Sequence, residues 1–326
     1  MVTYLTFDRL KIKANYKYLL ERQIQFNQTY NSKNGELTGL YYSSKNDKSV
    51  PFNLYIAISK PQQTLTLEFS SKILGEDYPK LISKHTIRQC LENINKLGIC
   101  LIDVEGILQT GCVTSADVTK DVHATLSDET LQALSIWVKN YRRYKWDYYD
   151  SEGIDFIRDV KSSKCKECIR IYRKEKEIIK PKNKDFLSIL PNKWEVVKQF
   201  NGVTRFEVKL ETIGKVRSYL NLRDTYINEV LNAEANLILT MYDRVFGHTS
   251  DVPEIQADTF DDFAMQKILN AYHGDIKTIE MTLKPLYASR SGFDKRMTKI
   301  RQTWEKMLNS TSGGINYVNS VRNLLV

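Results

Sequence analysis

Several stretches of this chain alternate apolar and polar residues with the period of two that a half-buried strand imposes. Residues 2–13 set Leu5 and Phe7 against Tyr4 and Thr6 and continue through Leu10 and Ile12, which predicts a first strand. A short strand follows at 37–42 between polar loops. Residues 52–58 and 64–69 predict a hairpin that turns at Lys60-Pro61-Gln62-Gln63. Apolar residues at 82, 87, 91, 94 and 97 make a helical stripe over 80–97, ended by Gly98. Residues 99–105 and 112–118 return to the strand pattern. Ser127-Asp128-Glu129 then opens a helix, with Ser127 as its cap and acids in its first turn, and the stripe runs through Leu131, Leu134, Ile136, Trp137 and Tyr141.

Two polar strands come next. In Cys168–Glu177, Ile169 and Ile171 alternate with Arg170, Tyr172 and Lys174. In 203–210, Arg205, Glu207 and Lys209 share the face opposite Phe206, Val208 and Leu210. Side by side, these strands would bring a carboxylate close to a tyrosine within a basic field. A short helix is expected over 213–220, and the spacing is helical over 224–246, 258–272, 274–286, 292–309 and 315–325. The fold class is therefore α+β. Antiparallel sheets with helices on one face, in two related halves, fill 1–222, and an all-helical domain fills 223–326.

The 326 residues suffice for two domains, and 42% hydrophobic with 27% charged residues is the composition of a soluble protein. No apolar run is long enough to span a bilayer. The N-terminus reads as a strand rather than a signal or transit peptide. Five cysteines, an odd count, fit reduced thiols in a cytosol. Cys165-x-x-Cys168 has no second ligand pair, so it reads as free thiols rather than a zinc site. The net charge of +9 points to a polyanionic partner. From Lys161 to Lys184 there are ten Lys or Arg against three acids, and this run coincides with the Tyr172 strand.

A tyrosine between two cations is a candidate nucleophile, because positive charge favours the phenolate and attracts phosphate. The ordinary alternative is a basic edge strand with a half-exposed tyrosine. Asp117 lies in a strand of small and apolar residues, and Asp103 and Glu105 alternate onto one face. Each would be paired with a lysine or bound to a metal. The segment 140–149 interleaves Arg142, Arg143 and Lys145 with Tyr144 and other aromatics, which suits stacking on bases and pairing with phosphates, or a helix face turned to the core. The four histidines (85, 123, 248 and 273) include no pair at metal-binding spacing, and no phosphate-cradling glycine motif occurs. Any metal would take carboxylate oxygens, which implies Mg²⁺ or Mn²⁺.

The ordered set ADVTKD (116–121), IRIYRKEKE (169–177) and TRFEVKL (204–210) resembles the replication initiators of rolling-circle phages and plasmids. The pattern is similar to that of the filamentous-phage gene II/X replication proteins and of plasmid initiators of the Rep_trans kind, over roughly residues 95–222. Arg173 stands where that family often has Asp. The resemblance implies an origin-nicking endonuclease and strand transferase acting through a 5′-phosphotyrosyl intermediate. It makes Tyr172 the nucleophile and Lys174 the stabiliser of its charge. Asp117 and Glu207 would hold Mg²⁺ or Mn²⁺, with Glu177 or Glu105 as a third ligand, and Arg170 and Arg205 would contact flanking phosphates. Tyr141, Tyr144, Tyr148 and Tyr149 are rival nucleophiles. The implied partners are origin DNA, single-stranded or supercoiled, and a host helicase and polymerase, in the cytoplasm of a bacterial host and with no membrane. Arg290, Lys295, Arg296, Lys299 and Arg301 would help the C-terminal helices hold DNA. The alternatives are a non-catalytic origin- or single-strand-binding protein and a mobile-element relaxase or transposase.

Overall fold

A computed structural model of the protein describes residues 4–136, 138, 144–149, 152–158, 167–246, 257–272, 274–309 and 317–326. In chain order it contains strands β1 (Thr6–Asn15), β2 (Leu19–Arg22), β3 (Asn27–Tyr30), β4 (Leu37–Ser43), β5 (Leu54–Ser59) and β6 (Thr64–Ser70). Helix α1 (Ile87–Lys96), strand β7 (Cys100–Ile102), helix α2 (Val104–Thr110), strand β8 (Cys112–Val122) and helix α3 (Asp128–Ile136) follow. Next are β9 (Tyr144–Tyr149), β10 (Gly153–Arg158), β11 (Cys168–Arg173), α4 (Lys174–Ile178), α5 (Lys184–Ser188), α6 (Lys193–Lys198) and β12 (Thr204–Leu210). The chain ends in α7 (Ile213–Tyr219), α8 (Ile227–Leu231), α9 (Leu237–Phe246), α10 (Phe260–Ala271), α11 (Ile276–Leu283), α12 (Arg290–Asn309) and α13 (Tyr317–Asn323). No helix among the described residues is long and apolar enough to cross a membrane.

The chain divides into two compact units, one of residues 1–125 and 160–238, the other of 126–159 and 239–326. The sequence drew a single boundary, near 222. In the first unit eight strands pair in the order β3-β4-β5-β6-β1-β8-β12-β11. Every pairing is antiparallel. The α+β class with a large antiparallel sheet, expected from the alternation, is what the structure has. The register explains why it holds. Ile12 faces Leu67, Leu10 faces Phe69 and Ala116, Val118 faces Val208, and Phe206 faces Ile171. All of these are buried on one side of the sheet, where their apolar area leaves water. Helices α2, α7 and α8 pack against β1, β8 and β12.

The second unit has its own core. Met265, Leu269, Ile279, Phe293, Met297 and Ile300 pack between α10, α11 and α12. Gly274 has φ +69°, and an added Cβ there would lie 2.3 Å from the Trp304 ring, so both the turn and the close approach require glycine. Phe156 on β10 stacks edge-on against Phe246 of α9, 5.0 Å between centroids.

Local structure departs from the sequence reading in three places that bear on the candidate site residues. Residues 99–105 are a three-residue strand that stops at Ile102, and the chain turns at once into α2. The reason is Asp103, whose carboxylate caps α2 by accepting the Gly106 N–H at 3.0 Å. Asp103 and Glu105 therefore do not alternate on a strand face. Residues 144–149, read as the end of a helix, are strand β9 and pair with β10. Strand β11 ends at Arg173, so Lys174 begins a helix instead of continuing the row of Arg170 and Tyr172. Replacing Asp103 with Ala removes the cap of α2 and is expected to lower stability by about 1 kcal/mol, read as a shift of the urea midpoint at unchanged slope.

Candidate active site

Strands β8, β12 and β11 lie side by side, and their polar residues face the same way. The ladder sets Asp121 opposite Arg205 and Arg205 opposite Tyr172. One step along, Thr119 faces Glu207 and Glu207 faces Arg170, and beyond them Asp117 faces Lys209. Pleating puts Asp117, Glu207, Arg205, Arg170 and Tyr172 on one side, away from Phe206, Val208 and Ile171. Tyr172 and Glu207 are diagonal neighbours, close enough to bond. The Tyr172 hydroxyl donates to Glu207 Oε1 at 2.6 Å.

This face is roofed by Tyr78, Phe186 and Phe200, which belong to one buried cluster with Ile178 of α4 and Val196 of α6. The roof makes the site a low-dielectric one. Arg205 is 0% exposed, Lys174 2% and Glu207 7%. Buried charges must be paired, and those of Arg205 and Lys174 are. Arg205 Nε and Nη2 donate to the two carboxylate oxygens of Asp121 at 2.6 and 2.7 Å. Its Nη1 reaches Asp8 Oδ1 at 3.2 Å and the Tyr78 hydroxyl at 3.3 Å. Asp8 is available because the register of β1 on β8 shifts between Phe7 and Arg9, a bulge that takes it out of the ladder. Ser71 Oγ also donates to it at 2.7 Å. Lys174 Nζ pairs with Glu177, which Lys182 Nζ also reaches at 2.8 Å. The Lys174 ammonium lies 5.8 Å from the Tyr172 ring centroid.

The charges set the proton affinities. Burial, and then the Asp8 carboxylate, push Glu207 up to about 7, against the pull of Arg205. Burial and then Glu207 raise the Tyr172 phenol well above its ordinary value. Burial also works against Asp8 and Glu177. Arg205 and Lys174 outweigh it for Asp8, and Lys174 and Lys182 for Glu177, so both stay below the usual carboxylate range. Together these make a protonated phenol bonded to a carboxylate that titrates near neutrality. That is the arrangement of a nucleophile with its general base.

No protein-family model and no curated protein matches this chain.

The structure gathers Tyr172, Glu207, Lys174, Glu177 and Arg205 in one network and sets Arg170 on the same face. Arg205, expected at substrate phosphates, is instead enclosed and bound to Asp121 and Asp8. Asp117 is held by Arg9, whose Nε and Nη2 donate to it at 3.0 Å each, while Arg9 Nη1 reaches Glu68 at 2.7 Å. Glu105 stands apart from the network, exposed in the first turn of α2 and paired with Arg88. Among the described residues, no group of three or more His, Cys, Asp or Glu is placed to hold a metal ion. Tyr144 and Lys145 are on β9 in the second unit, Tyr144 buried and Lys145 exposed. Arg142 and Arg143, like Tyr141, lie outside the described residues. Sequence reasoning passed over Asp8, Arg9 and Asp121. The charged residue in mid-strand at Arg9, and the alternation of Asp117, Thr119 and Asp121, were the available signals.

Arg205→Met leaves the half-buried Asp121 and Asp8 without their shared cation and is expected to cost at most about 3–5 kcal/mol, the value for fully buried pairs, measured by urea unfolding. Glu207 gives a pH signature. Its folded value lies above the usual 4.5, at about 7, so the folded state holds the proton more tightly. Its contribution to stability is complete below about 4.5 and is lost as pH rises to about 7. Glu207→Gln should flatten that part of the stability–pH curve; an unchanged slope would assign it to another group.

Proposed function

We propose that this chain is a rolling-circle DNA replication initiator that nicks and rejoins origin DNA through Tyr172. One observation carries the reading: the 2.6 Å hydrogen bond from Tyr172 to Glu207 inside a basic, water-poor network. In the proposed step the phenol oxygen attacks a DNA phosphorus. An O–P bond forms to tyrosine and the P–O3′ bond breaks, leaving a 5′-phosphotyrosyl link and a free 3′-OH. The phenol proton moves to Glu207 as the attack proceeds, and Glu207 returns it to the departing 3′ oxygen. Lys174, beside the ring, offsets the negative charge that develops. Arg170 holds a flanking phosphate, with Arg142, Arg143 and Lys145 as further DNA contacts; the buried Tyr144 does not reach DNA.

A divalent ion, Mg²⁺ or Mn²⁺, belongs to this reading, and when bound it would neutralise charge on the scissile phosphate. Asp117 and Glu207 share the face it would need, but Asp117 is engaged by Arg9 and Glu207 by Tyr172, so no step is derived through it. The reading also includes two related halves in the α+β region, a DNA-holding helical domain from 223 onward, action in a bacterial cytoplasm, and a host polymerase and helicase as partners. The second reading is a non-catalytic DNA-binding protein. The enclosure of Arg205 favours it, because that charge serves the fold and not a substrate.

Supercoiled plasmid carrying the cognate origin separates the two. The enzyme yields relaxed circles and a covalent protein–DNA band, and Tyr172→Phe removes both. Glu207→Gln slows nicking by about 10²–10⁴-fold. The base works when ionised, so the wild-type rate should climb as pH passes through about 7, and the Gln variant should lack that rise. A chelator arm tests the ion. Full nicking by Tyr172→Phe would end the proposal for this residue, and loss of nicking in a Tyr148 or Tyr149 variant would move the nucleophile there.

A further inference from the structure

A cleft of about 400 Å³ opens beside this network, in the first unit, within the rough 300–1,000 Å³ range of small-ligand sites. Three separate segments line it: the β4–β5 connection with Lys45, Lys48 and Phe52, then Lys72 just after β6, and Lys182 with Asp185 before and at the start of α5. Four lysines therefore line one concavity, Lys182 with its ammonium on Glu177. Among the described residues Lys45, Lys48 and Lys72 form no ion pair with a carboxylate. Lys72 Nζ donates to a neutral group, Asn183 Oδ1, at 2.6 Å. Burial and then the repulsion of Lys174 lower its pKa, against the pull of Glu177 and Asp8. The two acids in the wall, Asp47 and Asp185, offset only part of this: four lysines against two carboxylates leave the wall net positive. Asp47 already accepts from the Tyr42 hydroxyl at 2.8 Å and from Ser49 N–H and Oγ at 2.9 and 2.6 Å. Asp185 sits in the first turn of α5. A surface that crowds like charges in a concave wall is built for an anion.

We propose that this cleft seats one nucleotide of a single strand, its phosphate between Lys72, Lys182 and the lysines of the β4–β5 connection and its base against Phe52. The inference rests on the function proposed above, because it makes the cleft the neighbour of the attacked phosphodiester. The physical link is a chain of contacts. Asn183 accepts from Lys72 and donates through Nδ2 to the Glu177 backbone oxygen at 2.6 Å and to Glu177 Oε1 at 3.2 Å. Glu177 in turn holds Lys174 beside Tyr172. A phosphate in the cleft draws Lys182 from Glu177 and leaves Lys174 as its one cation, beside Asn183, so an occupied cleft fixes the cation beside the nucleophile.

The test uses the full chain carrying Tyr172→Phe, so that binding is read without chemistry, and a fluorescent oligo(dT) of about ten nucleotides. Lys45 and Lys48 are exposed, so the Lys45→Gln/Lys48→Gln variant retains the fold, and Lys72→Met is added in a second protein. Each lost phosphate contact should lower the slope of log K against log salt by about 0.7. Phe52→Ala should weaken oligo(dT) binding by about 5–100-fold while leaving the salt slope unchanged. Thymidine monophosphate as competitor distinguishes a free nucleotide from one held within a strand: displacement by the mononucleotide alone means the cleft takes it unaided, and displacement only by unlabelled oligo(dT) means the strand is needed. Unchanged affinity and slope in both lysine variants would overturn the cleft. That failure is separable from the other. If the lysine variants lose binding while Tyr172→Phe still nicks, the cleft stands and the nucleophile is wrong. If Tyr172 is required and the lysine variants bind normally, the cleft alone falls.

Discussion

The guanidinium of Arg205 is the constraint on which the rest of the first unit depends. It has no exposed surface, and stripping its water costs several kcal/mol that only well-made partners can return. Those partners come from three other places in the chain: Asp121 on β8, Asp8 at the bulge of β1, and Tyr78 in the Ser71–Lys80 segment. A slip of one residue in β8 would carry Asp121 to the opposite face and leave Arg205 short of its main partner, and a slip in β11 would carry Tyr172 away from Glu207. The pair therefore fixes register more than it adds net stability. In doing so it fixes where Glu207, two residues on, meets Tyr172.

The same arrangement decides which carboxylate titrates near neutrality and could serve as the base of the proposed reaction. Four acids stand in or beside the network, and the cations are shared unequally. Asp121 and Asp8 have Arg205, and Glu177 has Lys174 and Lys182. Glu207 is left with a phenol, a neutral donor, and with the Asp8 charge nearby. Asp8 and Glu177 therefore stay ionised, while Glu207 titrates at about 7. Groups of one chemical type pushed apart by their surroundings take different roles. Here the fold makes three of the acids structural and one responsive.

Much of this surface could be read from the sequence. The alternation of Ile169 and Ile171 with Arg170 and Tyr172, and of Phe206, Val208 and Leu210 with Arg205, Glu207 and Lys209, gave two strands with the correct faces, because a pleat has a fixed period. What escaped was whatever breaks that period. The bulge before Arg9 frees Asp8 for a side that strict alternation back from Leu10 does not give it. Asp103 caps a helix because an aspartate that can accept a turn's N–H ends a strand as readily as it continues one. Lys174 reaches Tyr172 from the first turn of α4, through space and not along a strand. The cleft of Lys72 and Lys182 joins segments more than a hundred residues apart, which no local pattern records.

The sequence made positive charge the activator of Tyr172, and the structure reverses the emphasis. Arg205, its cross-strand neighbour, has its charge taken up by Asp121 and Asp8, and burial raises the phenol further. A phenolate waiting for substrate is therefore not the resting species. A protonated phenol can attack only if its proton leaves as the new bond forms, and Glu207 is the acceptor already in contact. In the proposed reaction an arriving phosphodiester would add negative charge to a site of low dielectric and raise the proton affinity of the nearest carboxylate. Substrate would thus strengthen the base it needs. Without substrate the same hydrogen bond keeps the tyrosine protonated, which under the proposed function would guard against attack on DNA at the wrong place.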